Sequence, residues 1–270
     1  MDLQLTGKRV LVTGSSSGIG AGIATTFAQE GAMVVVHGRD RDRTQAVADG
    51  IDAVGGSSVV VTGDLSTAEG CAEVGDAVME ALGGIDVLVN NAGGKTAEGN
   101  PEWMDIPWTD WASTYEQNVG AAVRMIHRFL PGMKCRKWGR IIQIASASAT
   151  QPEPGLGEYQ AAKAAMVSLT SSLAKAMANT GITVNTVSPG TILTSNIKEW
   201  LTGVADQMQW EKNWETIEKR FTSELIPLCV DQLGRPEDIG RVVAMLASPL
   251  SSYITGANYR IDGGQCRSIN

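Results

Sequence analysis

The stretch Tyr159-Gln160-Ala161-Ala162-Lys163 places a phenol and an ammonium four residues apart. It opens a run to Ala178 that has no Gly or Pro and only two charged residues, Lys163 and Lys175. Such a composition predicts a helix buried on more than one side. On a helix, residues four apart share a face, with Cβ atoms roughly 5–6 Å apart. A free phenol titrates at about 10. A fixed ammonium beside it favours the phenolate and lowers that value, toward what a general acid/base near neutrality requires. The same spacing also fits a packed Tyr beside a Lys that buries only its stem. The elements that would position the pair therefore decide its meaning.

Those elements begin with Lys8-Arg9-Val10-Leu11-Val12-Thr13, a short apolar strand that ends in Gly14-Ser15-Ser16-Ser17-Gly18-Ile19-Gly20. An apolar helical pattern follows over 21–30, closed by Gly31 before a second strand over 32–37. Strand, Gly-rich turn, helix and strand make a βαβ unit that opens a parallel sheet. Its glycines let backbone N–H groups and a helix N-terminus approach a pyrophosphate, so the unit predicts dinucleotide binding. In such folds an acidic residue about 20 positions beyond the turn bonds the adenosine ribose, whereas an Arg accommodates a 2′-phosphate. Gly38 leaves the acidic position empty and Arg39 follows it, which favours NADP over NAD.

Further strands are expected at 59–65, with Asp64 at the carboxyl end, and at 85–90, which runs into the turn Asn90-Asn91-Ala92-Gly93-Gly94. Helices are expected at 41–50, 67–82 and 108–130, the last carrying Asn118. Two more strands fall at 140–146, ending in Ser146, and at 182–187, leading to Ser188-Pro189-Gly190-Thr191-Ile192-Leu193-Thr194.

Composition narrows the function. The 270 residues are 43% hydrophobic with a net charge of −7 and no Pro/Ser-rich or charge-rich linker, which predicts a single α/β domain over 1–270. The acidic balance argues against nucleic acid or an anionic membrane as partner. No apolar run is long enough to span a bilayer and no signal-peptide pattern opens the chain, so a cytoplasmic location is expected. Cys71, Cys135, Cys229 and Cys266 lack paired spacing and read as free thiols. His37 and His127 have no neighbour at metal-ligand spacing, so no metal site is expected.

Thr13-Gly14-x-x-x-Gly18-x-Gly20, Asp64, Asn90-Asn91-Ala92-Gly93, Asn118, Ser146, Tyr159-x-x-x-Lys163 and Pro189-Gly190 together resemble the short-chain dehydrogenase/reductase family, in order and spacing, across essentially the whole chain. The resemblance is nearest to NADP-preferring carbonyl reductases and 3-oxoacyl-carrier-protein reductases. It implies a Rossmann-like, doubly wound α/β fold, with a seventh parallel strand at 257–264 and helices on both faces of the sheet. It implies catalytic roles for Ser146, which precedes Tyr159 by 13 residues (159 − 146), for Tyr159 and Lys163, and for Asn118, which would anchor a water linking Lys163 to solvent. Ser148 is a local competitor at the wrong offset. Cofactor contacts are implied for Gly14, Ser16, Ser17, Gly18, Ile19, Gly20, Arg39, Asp64, Leu65, Asn91, Ala92, Gly93, Tyr159, Lys163, Pro189, Gly190, Ile192 and Thr194.

The implied reaction interconverts a ketone and a secondary alcohol with NADP(H). An epimerase, a polyol dehydrogenase or a cofactor sensor without turnover would use the same scaffold. Residues 194–230 mix Trp200, Met208, Trp210, Trp214 and Phe221 with charges, as a lid over an apolar small-molecule substrate would. Trp103, Trp108 and Trp111 are candidates for a second substrate wall. Apolar residues spread around the helices expected over 108–130 and 159–178, Leu169 and Leu173 included, and predict an isologous interface through them; the resemblance implies a homotetramer, with a dimer as the alternative.

Overall fold

A computed structural model of the chain describes residues 1–96 and 102–268. Seven strands form one sheet: β1 (Arg9–Val12), β2 (Met33–Gly38), β3 (Ser57–Thr62), β4 (Val87–Asn90), β5 (Gly139–Ile144), β6 (Ile182–Pro189) and β7 (Asn258–Ile261). The order is β3-β2-β1-β4-β5-β6-β7 and every pairing is parallel. The central strands read as unbroken apolar runs, such as Val87-Leu88-Val89 and Val34-Val35-Val36, because both of their faces are covered. Chain order reverses between β1 and β4, and ligands in open α/β sheets gather beyond the strand ends at such a point.

Two helical layers supply the cover. On one face α1 (Gly18–Gln29), α2 (Arg41–Ala53) and α9 (Pro236–Ala247) bury Phe27, Ile51 and Val243 against the sheet. On the other, α3 (Ala68–Leu82), α5 (Ala121–Arg136) and α6 (Gly157–Ala176) bury Val78, Phe129 and Met166. Among the described residues, no helix is long and apolar enough to cross a membrane.

The helix expected over 108–130 is divided. It comprises α4 (Trp108–Tyr115), a π turn (Glu116–Gly120) and α5. Asn118 sits in the middle of the π turn, and its side-chain Nδ2 donates to the Thr114 carbonyl at 2.7 Å. A side-chain amide thus replaces part of the regular ladder, and periodicity in the sequence carries no sign of it.

Within 194–230 lie α7 (Ser195–Gln207), α8 (Trp214–Arg220) and a π turn (Phe221–Leu225). These elements have a core of their own, in which Leu201, Trp210, Ile217, Phe221 and Leu233 are buried. Trp210 therefore faces inward, while Trp200 stays 45% exposed and packs edge-on to Phe221.

Candidate active site

Strand β1 ends where the chain must turn back under α1. Gly14 takes φ +64°, a left-handed conformation that a side chain would disfavour. The turn is tied to the end of β4. Thr13 Oγ1 accepts from the amides of Asn91 and Ala92, and Asn91 Nδ2 donates to the carbonyls of Thr13 and Gly14, all at 2.9–3.0 Å. Ser17 caps α1 with no side-chain hydrogen bond to its first turn. The first amides of α1 remain free to meet an anion, at the positive end of the helix dipole.

A cavity of about 330 Å³ opens beyond this turn, lined by Gly14, Ser16, Ser17, Arg39, Asp64, Leu65, Asn91, Ala92 and Gly93 from the expected set. His37, Gly38, Arg43, Gln117 and Asn196 line it too. Gly38 is held to glycine by proximity: a Cβ there would stand 2.6 Å from Ser16 Cβ and from Thr44 Oγ1. Any side chain at that position, a carboxylate included, would force Ser16 or Thr44 to shift. Arg39 is exposed at the rim, and the Arg43 guanidinium reaches Asp40 at 3.5 Å, with Asp40 also capping α2. A hydrogen bond from the Ser66 amide holds the Asp64 carboxyl below the usual range.

His37, near the end of β2, is buried. Its Nδ1 accepts from the Gly14 amide at 3.1 Å. Burial pulls its pKa down to about 4, so the imidazole is neutral and props the turn.

A second cavity of about 250 Å³ continues the cleft, lined by Ser17, Gly18, Ile19, Gly20, Tyr159, Lys163 and Thr194, with Ile144, Ala145, Gly94 and Asn196. Thr194 caps α7 by accepting from the Ile197 amide at 3.3 Å. Helix α6 starts from Leu156 in the left-handed region (φ +63°), and this puts Tyr159 in its first turn, at the cleft wall. Lys163 is 3% exposed. Its Nζ donates to the Ile144 carbonyl at 2.9 Å and lies 5.6 Å from the centre of the Tyr159 ring.

Burial pulls the Lys163 ammonium down to about 8. Enclosure by the surrounding chain pushes the Tyr159 phenol up, and the Ser146 hydroxyl draws it part of the way back. Lys163 contributes none of the expected lowering here; its ammonium lies over the ring, 5.6 Å from the centroid, and burial and Ser146 set the direction of the phenol's shift.

Ser146 caps a short 3-10 turn (Ala147–Ala149) after β5, and its hydroxyl shares a 2.9 Å hydrogen bond with Ser148 Oγ. Ser148, set aside on spacing, is thus the direct neighbour of Ser146. Asn118 is fully buried; both Nδ2 hydrogens are given to the Gly94 and Thr114 carbonyls, and Oδ1 accepts from the Gly94 amide. Its side chain fixes the turn after β4.

Pro189, Gly190 and Ile192 lie off the lining of both cavities. Gly190 is tied to β7 through the Ile261 carbonyl, and Ile192 is 4% exposed in the core. Among the described residues no three His, Cys, Asp or Glu side chains could hold a metal, and all four cysteines are free.

With this geometry in view, comparison with known proteins fixes the family. Residues 14–265 match the family model described as enoyl-(acyl carrier protein) reductase. The chain is 39% identical to the uncharacterized oxidoreductase YvaG of Bacillus subtilis (strain 168), over the whole of both chains. Among solved structures, L-sorbose reductase from Gluconobacter frateurii, complexed with NADPH and L-sorbose, superposes with a TM-score of 0.91 at 33% identity, again over the whole of both. A 7α-hydroxysteroid dehydrogenase complexed with NADH and 7-oxoglycochenodeoxycholic acid gives 0.84 at 30%, covering 100% of this chain and 98% of that one. The chain is an oxidoreductase of the short-chain dehydrogenase/reductase family.

Proposed function

We propose that the protein interconverts a ketone and a secondary alcohol with NADP(H), with Tyr159 as the general acid/base. The observation that carries this reading is that Tyr159 and Lys163 stand in the wall of the cleft that begins at the Gly-rich turn. A dinucleotide fits what is there: free amides at the N-terminus of α1 for the diphosphate, and a floor between Gly14 and Asp64 for the adenosine.

When bound, the reduced nicotinamide would supply hydride to the carbonyl carbon. The chain's own residues handle the charge and the proton. Ser146 donates a hydrogen bond to the carbonyl oxygen as negative charge develops there, and Tyr159 O–H transfers its proton to that oxygen. Lys163 holds a positive charge behind the phenol and favours the phenolate left by the transfer. Ser17, Gly18, Ile19, Gly20, Asn91, Ala92, Gly93 and Thr194 line the channel that would orient the cofactor. Pro189, Gly190 and Ile192 would contribute backbone from the layer behind it.

Two supports favour NADP(H). Arg39 and Arg43 line the adenosine end, and a side chain at Gly38 would crowd Ser16 and Thr44, which disfavours a carboxylate at the position where it would repel a 2′-phosphate. The sorbose reductase neighbour is complexed with NADPH, whereas the hydroxysteroid dehydrogenase holds NADH.

The segment 194–230 would cover an apolar substrate body, with Trp200 as its exposed aromatic, and the Trp103–Trp111 pair (centroids 5.3 Å apart) as a second wall. The assembly would be a homotetramer. Much of the apolar spread on α6 is used within one chain, since Ala162 and Met166 pack on Val119 and Ala122 while Leu169 and Leu173 pack half-buried on the sheet-side core. Ala161, Ser168 and Ser172 form the outward face left for a partner. The test of the catalytic reading is NADPH oxidation over a panel of keto-esters, aryl ketones, quinones, sugars, steroids and acyl-thioesters. Consumption with at least one class is expected, and none with any class would favour a cofactor sensor.

A further inference from the structure

Asn90 on β4 and Gln143 on β5 are 2% and 0% exposed. None of their four side-chain polar atoms has a hydrogen-bond partner among the described residues. The two are register partners on adjacent strands, and Gln143 is in register with Thr186 on β6. Leu88, Ile141 and Val184, each two residues earlier on the same strands, face the layer of α3, α5 and α6. Strand alternation puts Asn90, Gln143 and Thr186 in one polar row on that face. Thr186 meets the helix directly: its Oγ1 donates to Thr170 Oγ1 of α6 at 2.7 Å.

Along the buried stripe of α6, Thr170 is followed by Met166 and then Lys163, toward the strand ends. Lys163 Nζ donates to the carbonyl of Ile144, the residue next to Gln143. An ammonium carries three N–H donors. Among the described residues its hydrogen-bond partners are that one carbonyl and, at 3.8 Å, the weak acceptor Met166 Sδ. A poorly solvated cation and two unpaired carboxamides thus share one layer between the sheet and α6. Buried amides are seldom left unpaired, and roomy polar interior spaces hold water.

We propose that Asn90 and Gln143 bind buried water against the Lys163 ammonium and serve as its internal solvent. The inference deepens the proposed role of Lys163 and rests on it. Gln143 is then a positioning residue, acting through Lys163 to keep it charged. Burial is the only cause of the lowered Lys163 value. Lys175 lies at the far end of α6, and the other titratable groups on α6 and the elements packed against it are Glu158, Tyr159, Asp110, Tyr115, Glu116 and Arg140. Glu116 is ion-paired with Arg124, and none of the six offsets the burial of Lys163.

The test reads Lys163 directly and needs no substrate. Lysine side-chain carbon NMR is followed against pH in the full chain, with the Lys163 resonance assigned by its loss in Lys163→Met. Gln143→Met keeps the shape but removes the dipole, and should lower the Lys163 midpoint by about one pH unit, a tenfold loss of proton affinity. Gln143→Glu places a carboxylate in the row and should raise it. Movement in opposite directions is what a purely structural role would not produce, and either variant alone still tests the sign if the other fails to fold. An unmoved midpoint in a folded variant, or a shift in the same direction for both, overturns the proposal. So does a high-resolution structure with the two amides bonded to each other and no water beside them. Should Tyr159→Phe retain activity while these shifts occur, the catalytic reading fails and the hydration site stands.

Discussion

Lys163 Nζ stands 5.6 Å from the centre of the Tyr159 ring while donating to the Ile144 carbonyl at 2.9 Å. The ammonium is thus anchored to the end of β5, and α6 holds the phenol at a fixed distance from it. The phenol needs a nearby charge because its enclosure opposes ionisation. A cation whose own pKa has fallen to about 8 keeps that charge only over part of the pH range.

Stability should record the strain of burying that charge. The folded value of Lys163, about 8, lies below the ordinary 10.5. Below pH 8 both states carry the proton and the fold bears the full cost. Between pH 8 and 10.5 the unfolded chain binds more protons, so stability rises with pH. Lys163→Met should therefore stabilise the unliganded chain at pH 7 by on the order of 2–3 kcal/mol, with the gain fading toward pH 10.5. Denaturant melts across that range check it. A destabilised Lys163→Met at pH 7 would contradict the account.

His37 predicts the acid side. Its folded value, about 4, lies below the ordinary 6.5. Its contribution is fully present above pH 6.5 and is lost as pH falls toward 4, because the unfolded imidazole takes up the proton first. The loss should be on the order of 3 kcal/mol. His37→Gln should flatten this limb, and should also weaken dinucleotide binding, since the acceptor for the Gly14 amide is displaced. An unchanged acid limb in the variant would count against the burial-lowered value of His37.

Cofactor discrimination is predicted to lie in Arg39. Arg39→Ala should raise KM for NADPH far more than for NADH, through loss of a charge-assisted contact to the 2′-phosphate. Equal use of NADPH and NADH by the unaltered chain would remove the assignment.

Most of the parallel strands and the Gly-rich end of the cleft were legible in the sequence, whereas the order of the strands is a finding of the structure. The signals are local there: apolar runs for strands buried on both faces, and glycines where a strand must meet a helix. Gly14, Ser17, Gly18 and Gly93 of the cleft lining come from those junctions, whereas Tyr159 and Lys163 come from the first turns of α6. What the sequence hid is relational. The π turn at Asn118 depends on a side chain reaching the Thr114 and Gly94 carbonyls. The contact of Ser148 with Ser146 depends on a 3-10 turn. Burial of Trp210 depends on a small core closed by elements far apart in the chain, such as Leu233. Gly38 could be read only as the lack of an acid, although its meaning is the nearness of Ser16 and Thr44.

Assembly is predicted to show in solution. Sedimentation at micromolar concentration should report a species about four times the 28.5 kDa chain. Glu in place of Ala161 or Ser168, on the outward face of α6, should dissociate it without disturbing the core. Leu169 and Leu173 are poor sites for this test because they also pack on the chain's own interior. A monomer at that concentration would refute the tetramer.

The central claim is that Tyr159 transfers the proton. The most direct measurement compares kcat for NADPH oxidation in the unaltered chain and in Tyr159→Phe, using whichever carbonyl class the panel identifies, with NADPH binding followed in parallel by fluorescence. The account predicts a loss of about 10²–10⁴-fold in kcat, with the dissociation constant for NADPH nearly unchanged, since only a hydroxyl is removed. Retention of more than about a tenth of kcat would show that the proton comes from elsewhere.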